Sequence, residues 1–166
     1  MRIAIISDIH DHRQLLSKAL QRIEQEEIDE IFCCGDLCSP FIIKDLGEGF
    51  PGPIQIVFGN NDGDLFRITR LSQDFPNITL HGEICEMERG GRSIALTHFD
   101  TVAAMISRER TFDVVCFGHN HKFEITAGDH ALRINPGEIM GELTGTSSFV
   151  ILETETMEAR QIILEN

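Results

Sequence analysis

Five short apolar runs, each stopped by a turn rich in Asp, Asn or His, constrain this chain more than any other feature. They are Ile3 to Ile6, Ile31 to Cys34, Ile54 to Phe58, Ile94 to Leu96 and Val114 to Phe117. Behind them stand Asp8-Ile9-His10, Gly35-Asp36, Gly59-Asn60-Asn61-Asp62, His98 and Gly118-His119-Asn120-His121. An apolar run of this length bounded by turn residues reads as a buried strand. Open α/β sheets build their sites beyond the ends of such strands. The pattern therefore predicts that Asp8, His10, Asp36, Asn60, His98, His119 and His121 meet at one end of the fold.

Between the early runs the apolar spacing turns helical. Leu15, Leu16, Ala19, Leu20 and Ile23 recur on one face, and Ser39-Pro40 opens a short helix carrying Phe41, Ile42, Ile43 and Leu46. Gly47 to Pro53 reads as a loop, and a further helix is expected from Asp64 to about Ser72 with Leu65, Phe66, Ile68 and Leu71 facing in. This βαβαβ rhythm predicts right-handed crossovers and a parallel sheet. The second half changes character. Short strands are expected at Ile78–Leu80, Ile84–Met87 and Ser93–Thr97, with a hairpin at Gly90-Gly91. A helix near Val102–Arg108 leads to Asp113–Phe117, and four more strands follow, at Phe123–Thr126, Leu132–Ile134, Phe149–Glu153 and Ala159–Leu164. The expectation is an α/β fold of two packed sheets with helices outside, as one domain over residues 1–166.

The formal net charge of -13 argues against a protein that tracks a nucleic-acid backbone. The five cysteines include no CxxC pair, and Cys33, Cys34 and Cys116 lie inside apolar runs. They read as free thiols in a reducing compartment. Cys38, two residues beyond Asp36, is close enough to touch the site. The chain opens on a strand rather than a leader, and no apolar stretch nears the roughly 18 residues of a membrane span. A cytoplasmic protein without membrane contact is expected. Phe149 and Ile151, read as exposed, make a homodimer compatible with the sequence.

Taken singly, the polar residues have plainer readings: Asp8 and Asp36 as helix caps, Asn60-Asn61-Asp62-Gly63 as a turn, His98 as a half-buried histidine. Their recurrence after five successive strands favours a metal site. Mixed Asp, Asn and His donors suit borderline divalent ions such as Mn²⁺, Fe²⁺, Ni²⁺ or Zn²⁺ rather than Mg²⁺ or Ca²⁺. Seven donors exceed one ion and suit two ions sharing a bridge, an arrangement that serves phosphoryl hydrolysis.

In order, these five motifs resemble those of the calcineurin-like metallophosphoesterases, and the resemblance spans nearly the whole chain. The small size and Asn135-Pro136-Gly137-Glu138 are most similar to the compact bacterial and archaeal phosphodiesterases of that superfamily. The resemblance implies a four-layer αββα sandwich of two mixed sheets flanked by helices. It implies that Asp8, His10 and His121 hold one metal ion, Asn60, His98 and His119 a second, and Asp36 bridges them. A hydroxide shared by the ions would attack phosphorus in line, with Asp36, Asn60 and His98 closest to the catalysis. The expected cofactors are two divalent ions, Mn²⁺ first, with Ni²⁺, Fe²⁺ and Zn²⁺ as alternatives. The expected substrate is a small phosphate ester or nucleotide-like diester.

This chain departs from the family in three places. Asn61 stands where many members have a histidine thought to protonate the leaving group, Phe99 where a glycine is usual, and Asp100 where a histidine is usual. Asn61 cannot donate such a proton, so good leaving groups should be preferred unless Asp62, His12 or Asp100 supplies one. The alternatives to a phosphodiesterase are a phosphomonoesterase and a non-catalytic scaffold of the same fold. A scaffold predicts gaps in the donor set, and all seven positions are filled.

Overall fold

The computed structural model describes residues 1–128 and 130–165. In chain order its elements are β1 (Arg2–Ile6), α1 (Arg13–Gln25), β2 (Glu30–Cys33), α2 (Pro40–Gly49), β3 (Ile54–Ile56), α3 (Leu65–Ser72), β4 (Ile78–Leu80) and β5 (Ile84–Arg89). They continue with β6 (Arg92–Thr97), α4 (Asp100–Ile106), β7 (Val114–Cys116), β8 (Glu124–Ala127), β9 (Leu132–Asn135), β10 (Ser148–Glu153) and β11 (Glu158–Ile163). Among the described residues the strands form two sheets, ordered β11-β10-β1-β2-β3-β4 and β5-β6-β7-β9-β8. β1 to β4 run parallel, β10 joins β1 antiparallel, and the second sheet mixes parallel β6-β7-β9 with antiparallel edges.

Side-chain alternation along the strands makes the layers. Ala4 and Ile6 of β1 face α1 and α2, whose Leu16, Ala19, Ile23, Ile42 and Ile43 are fully buried there. Ile3 and Ile5 point the other way and meet Leu96, Val114 and Cys116 of the second sheet. Ala95 and Val115 then face outward under α4, beside Ala103 and Phe112. Helix, sheet, sheet and helix follow in that order, because strands buried on both faces need cover on both. The Gly90-Gly91 turn carries φ of 55° and 75°, as a tight hairpin between β5 and β6 requires.

Three expectations are corrected. Phe66 is 74% exposed, and of the four α3 residues expected inside only Ile68 is buried. The helical period was right, but the face was drawn too wide. Helix α2 runs on through Gly47 and Gly49, which the sequence assigns to a loop, because both glycines lie flat against Phe75 and Leu20. Phe149 and Ile151, read as exposed, are completely buried, since β10 is an interior strand covered on both sides. The ground for a dimer through them is gone.

Candidate metal centre

All five polar turns lie at the carboxyl ends of β1, β2, β3, β6 and β7, and parallel pairing within each sheet sets these ends side by side. The main chain locks the turns together: Asp8 N–H donates to Gly35 O, the Ile9 and His10 N–H groups to Asp36 O, and Gly118 N–H to His98 O. Asp8, His10, Asp36, His119 and His121 all adopt positive φ, between 44° and 71°. For residues other than glycine this costs on the order of 1 kcal/mol each, and it persists only where surrounding bonds impose it. Gly59 and Gly118 make the close approach feasible. A Cβ on Gly118 would sit 2.7 Å from Asp8 Oδ2, and one on Gly59 would sit 2.7 Å from Asp36 N.

Two sets of donor atoms converge within 4.8 Å: Asp8, His10 and His121, and Asp8, Asp36 and His98. Asp8 Oδ1 lies 3.8 Å from His10 Nε2 and 3.5 Å from His121 Nε2. Asp36 Oδ2 lies 3.3 Å from His10 Nε2 and 3.4 Å from His98 Nε2, between the two sets. Asn60 Oδ1 meets His98 Nε2 at 3.1 Å. The ring of His119 packs edge-on against His98 with centroids 5.1 Å apart, although neither convergent set among the described residues includes it.

Asp8 Oδ1 and His10 Nε2 are buried without a hydrogen-bond partner. Buried polar atoms are normally satisfied, and leaving one orphaned costs roughly 1–3 kcal/mol. An electron-rich pair turned toward each other suits a cation between them. The donor chemistry, oxygen and imidazole nitrogen without thiolate, fits a borderline divalent ion. Burial pushes the Asp36 carboxyl up, but the His98 contact and two hydrogen bonds from Asn61 outweigh it and hold the group well below its ordinary value. His98 moves the other way. Burial pushes its imidazole down, yet the bond to Asp36 and that residue's charge leave it raised. In His10 the nearby carboxylates of Asp8 and Asp36 raise the imidazole more than burial lowers it.

The helix-cap readings of Asp8 and Asp36 do not hold in space. His12, not Asp8, caps α1, its Nδ1 accepting from Leu15 N–H at 3.3 Å. Ser39, not Asp36, occupies the cap position of α2. Asp62 ties two ligand turns together: Oδ1 accepts from Cys38 N–H, and Oδ2 from the Asp36 and Gly59 N–H groups at 3.2 and 2.7 Å. Both Asp62 oxygens are thus committed to main-chain donors, whereas His12 accepts through Nδ1 alone and keeps Nε2 as a donor. Asp100 accepts from Thr101 N–H and from the Asn120 carboxamide. Cys38 does touch the site, with Sγ 3.5 Å from His10 Nδ1. Burial, reinforced by Asp11, Asp36 and Asp62, pushes its thiol up to about 12, so it is not a thiolate nucleophile at neutral pH.

Three supporting residues were not legible as such. Asn61 clasps Asp36, Asn135 donates to Gly118 O and Asn120 Oδ1 to brace the histidine turn, and buried Glu138 meets His121 Nδ1 at 2.7 Å. The Asn-Pro-Gly-Glu stretch was the available signal, a turn ending in a carboxylate between buried strands.

Residues 1–157 match the calcineurin-like phosphoesterase superfamily domain. The chain belongs to that superfamily. It is 34% identical over 167 residues to a phosphodiesterase of Methanocaldococcus jannaschii, covering 99% of this chain and all of the relative. A probable metallophosphoesterase of Bacillus subtilis is 31% identical over 170 residues, covering 93% of this chain and 85% of that protein. A solved archaeal phosphodiesterase superposes with a TM-score of 0.92 at 33% identity, over 99% of this chain and 100% of its own. Vps29 of Entamoeba histolytica complexed with Zn²⁺ shares the fold at 20% identity and a TM-score of 0.66, over 98% of this chain and 99% of its own. The expected superfamily and layered fold are therefore met. No helix among the described residues is long and apolar enough to cross a membrane.

Proposed function

We propose that this chain is a phosphodiesterase that holds two divalent cations beyond its strand ends and hydrolyses a small or nucleotide-like phosphate diester. One observation carries the reading: a single oxygen, Asp36 Oδ2, lies 3.3 Å from His10 Nε2 and 3.4 Å from His98 Nε2, so one carboxylate reaches a histidine of each donor set. Asp8, His10 and His121 would hold one cation, and Asn60, His98 and His119 the other, with Asp36 common to both. Mn²⁺ is the first choice and Ni²⁺, Fe²⁺ and Zn²⁺ the alternatives, from the donor types. Bound there, the cations supply Lewis acidity and a water acidic enough to attack phosphorus near neutral pH.

The chain's own residues orient the ester and set its preference. Asn60 is exposed, and its carboxamide hydrogens face no protein acceptor among the described residues, so they are available to a phosphoryl oxygen. Asn61 is occupied by Asp36 and supplies no proton, which favours esters of acidic alcohols. The diester preference is supported by full-length similarity to the Methanocaldococcus phosphodiesterase. The net charge of -13 disfavours a polymeric nucleic-acid substrate. Five free cysteines suit a reducing compartment, and we place the protein in the cytoplasm, acting as one unit over its whole length.

The test compares bis-p-nitrophenyl phosphate with p-nitrophenyl phosphate, using stripped protein resupplied with Mn²⁺, Ni²⁺, Zn²⁺ or Mg²⁺. Metal-dependent diester turnover that vanishes in Asp36→Asn is expected. Faster monoester turnover would move the reading to a phosphomonoesterase. Bound metal with no turnover of either ester would move it to a scaffold.

A further inference from the structure

His121 is gripped from behind by a carboxylate that the hydrolytic reading does not use. Glu138 is completely buried just after β9, and its Oε2 lies 2.7 Å from His121 Nδ1. Its Oε1 accepts from both Thr144 N–H and Thr144 Oγ1–H, at 2.7 and 2.8 Å. The next two residues lace onto the neighbouring turn, with Ile139 N–H donating to Ser7 O and Met140 N–H to Asp8 O. One short segment thus fastens the backbone of Asp8 and the ring of His121, which come from β1 and β7 and are 111 residues or more apart in the chain.

The bond at Nδ1 decides what the other ring nitrogen presents. With Oε1 filled by Thr144 donors, Oε2 accepts from Nδ1–H, which leaves the neutral ring with its lone pair at Nε2. That lone pair faces Asp8 Oδ1 across 3.5 Å, and Asp8 Oδ1 is the buried oxygen without a hydrogen-bond partner. A second lone-pair atom, His10 Nε2, closes the group at 3.8 Å from the same oxygen. A ring with its proton on Nε2 would instead donate to Asp8 and fill the place of a cation. We propose that Glu138 is a positioning residue. It fixes the tautomer and tilt of His121 for the cation held with Asp8 and His10, and Thr144 locks Glu138 and so couples the segment 141–146 to that site. This rests on the two-cation reading but not on turnover.

A merely structural Glu138 would fill a buried network and leave cation binding alone. Glu138→Gln separates the two cases. The carboxamide cannot accept from His121 and both Thr144 donors at once, so it either turns its NH₂ against Thr144 N–H or donates to Nδ1 and reverses the tautomer. Calorimetric titration of the stripped protein with Mn²⁺ should show one of two sites weakened by roughly 10–100-fold, the other unchanged. Nitrogen-15 spectra of the metal-free protein should show the His121 proton on Nδ1 in the wild type and displaced in the variant. Thr144→Val, which removes the hydroxyl that donates to Glu138 and meets the Thr146 main chain at 3.3 Å in an exposed loop, should cost about five-fold at the same site and covers the case in which Glu138→Gln does not fold. Unchanged Mn²⁺ affinity in a folded Glu138→Gln, or in Thr144→Val where Glu138→Gln fails to fold, overturns the proposal. So does a His121 proton on Nε2 in the wild type. Weakened Mn²⁺ binding in a chain that hydrolyses no diester would defeat the hydrolytic reading and support the role of Glu138.

Discussion

Asn61 holds Asp36 by both carboxylate oxygens. Its backbone N–H donates to Oδ1 at 2.8 Å and its carboxamide to Oδ2 at 2.9 Å. The residue that departs from the family's usual histidine has therefore changed its employment: it steadies the carboxylate that lies between His10 and His98. If that is its whole contribution, Asn61→Ala should slow diester turnover by about 10-fold, the worth of one charge-assisted hydrogen bond. The loss should be the same for p-nitrophenyl and plain phenyl esters. A dependence on leaving-group acidity that steepens in the variant would mean that Asn61 assists departure after all.

The Asp36–His98 pair makes the stripped protein pH-sensitive with a definite sign. His98 is raised in the fold, so its contribution is complete below the unfolded value near 6.5 and fades as pH climbs through the folded one. Asp36 is lowered, so its contribution is present above the unfolded value near 3.9 and is lost on acidification. Metal-free protein should therefore be most stable between about pH 4 and 6.5, and its melting temperature should drop from pH 6 to pH 9. His98→Gln should flatten that drop. Cation binding must expel the protons that His98 and His10 retain, so Mn²⁺ affinity should rise over the same range. A stripped protein whose melting temperature rises toward pH 9 would contradict the pairing.

Asp62 was weighed from the sequence as a proton donor and proves to be a brace. Its three main-chain hydrogen bonds join the turn after β2 to the turn after β3, which brings Asp36 to Asn60. Asp62→Ala would leave buried N–H groups unmet and should lower stability by about 2–4 kcal/mol in urea unfolding. Asp62→Asn, which keeps an acceptor, should recover roughly half of that. An alanine variant as stable as the wild type would show that the turns hold without it.

What the sequence disclosed and what it withheld divide along a physical line. Apolar runs with polar turns behind them are local signals, and they located β1, β2, β3, β6, β7 and the polar turns at their carboxyl ends. How wide a face of α3 is buried depends on a neighbour's reach, and so Leu65 and Phe66 are exposed where burial is expected. The burial of Phe149 and Ile151 depends on β10 pairing with β1, 145 residues or more away in the chain, which no local pattern reveals. The bracing residues were hidden for the same reason. Glu138 and Asn61 act through partners that only the assembled turns bring near.

Phe99 closes the side of the site occupied by His98 and His119. Its ring meets His98 edge-on at 5.3 Å and 80°, and His119 at 5.2 Å and 61°, so three rings pack mutually where the family usually has glycine. Such aromatic pairs are worth roughly 0.5–1.5 kcal/mol each. Phe99→Gly should do two things at once. It should open space beside His119, raising kcat/KM for a bulky diester relative to a small one by about 10-fold. It should also loosen the His119 ring and weaken Mn²⁺ binding on that side several-fold, through the lost packing. Measuring both esters at saturating Mn²⁺ separates the effects, because a change confined to metal affinity disappears there while a change in pocket shape does not. Selectivity equal to the wild type under those conditions would mean that Phe99 supports the histidines without shaping the substrate.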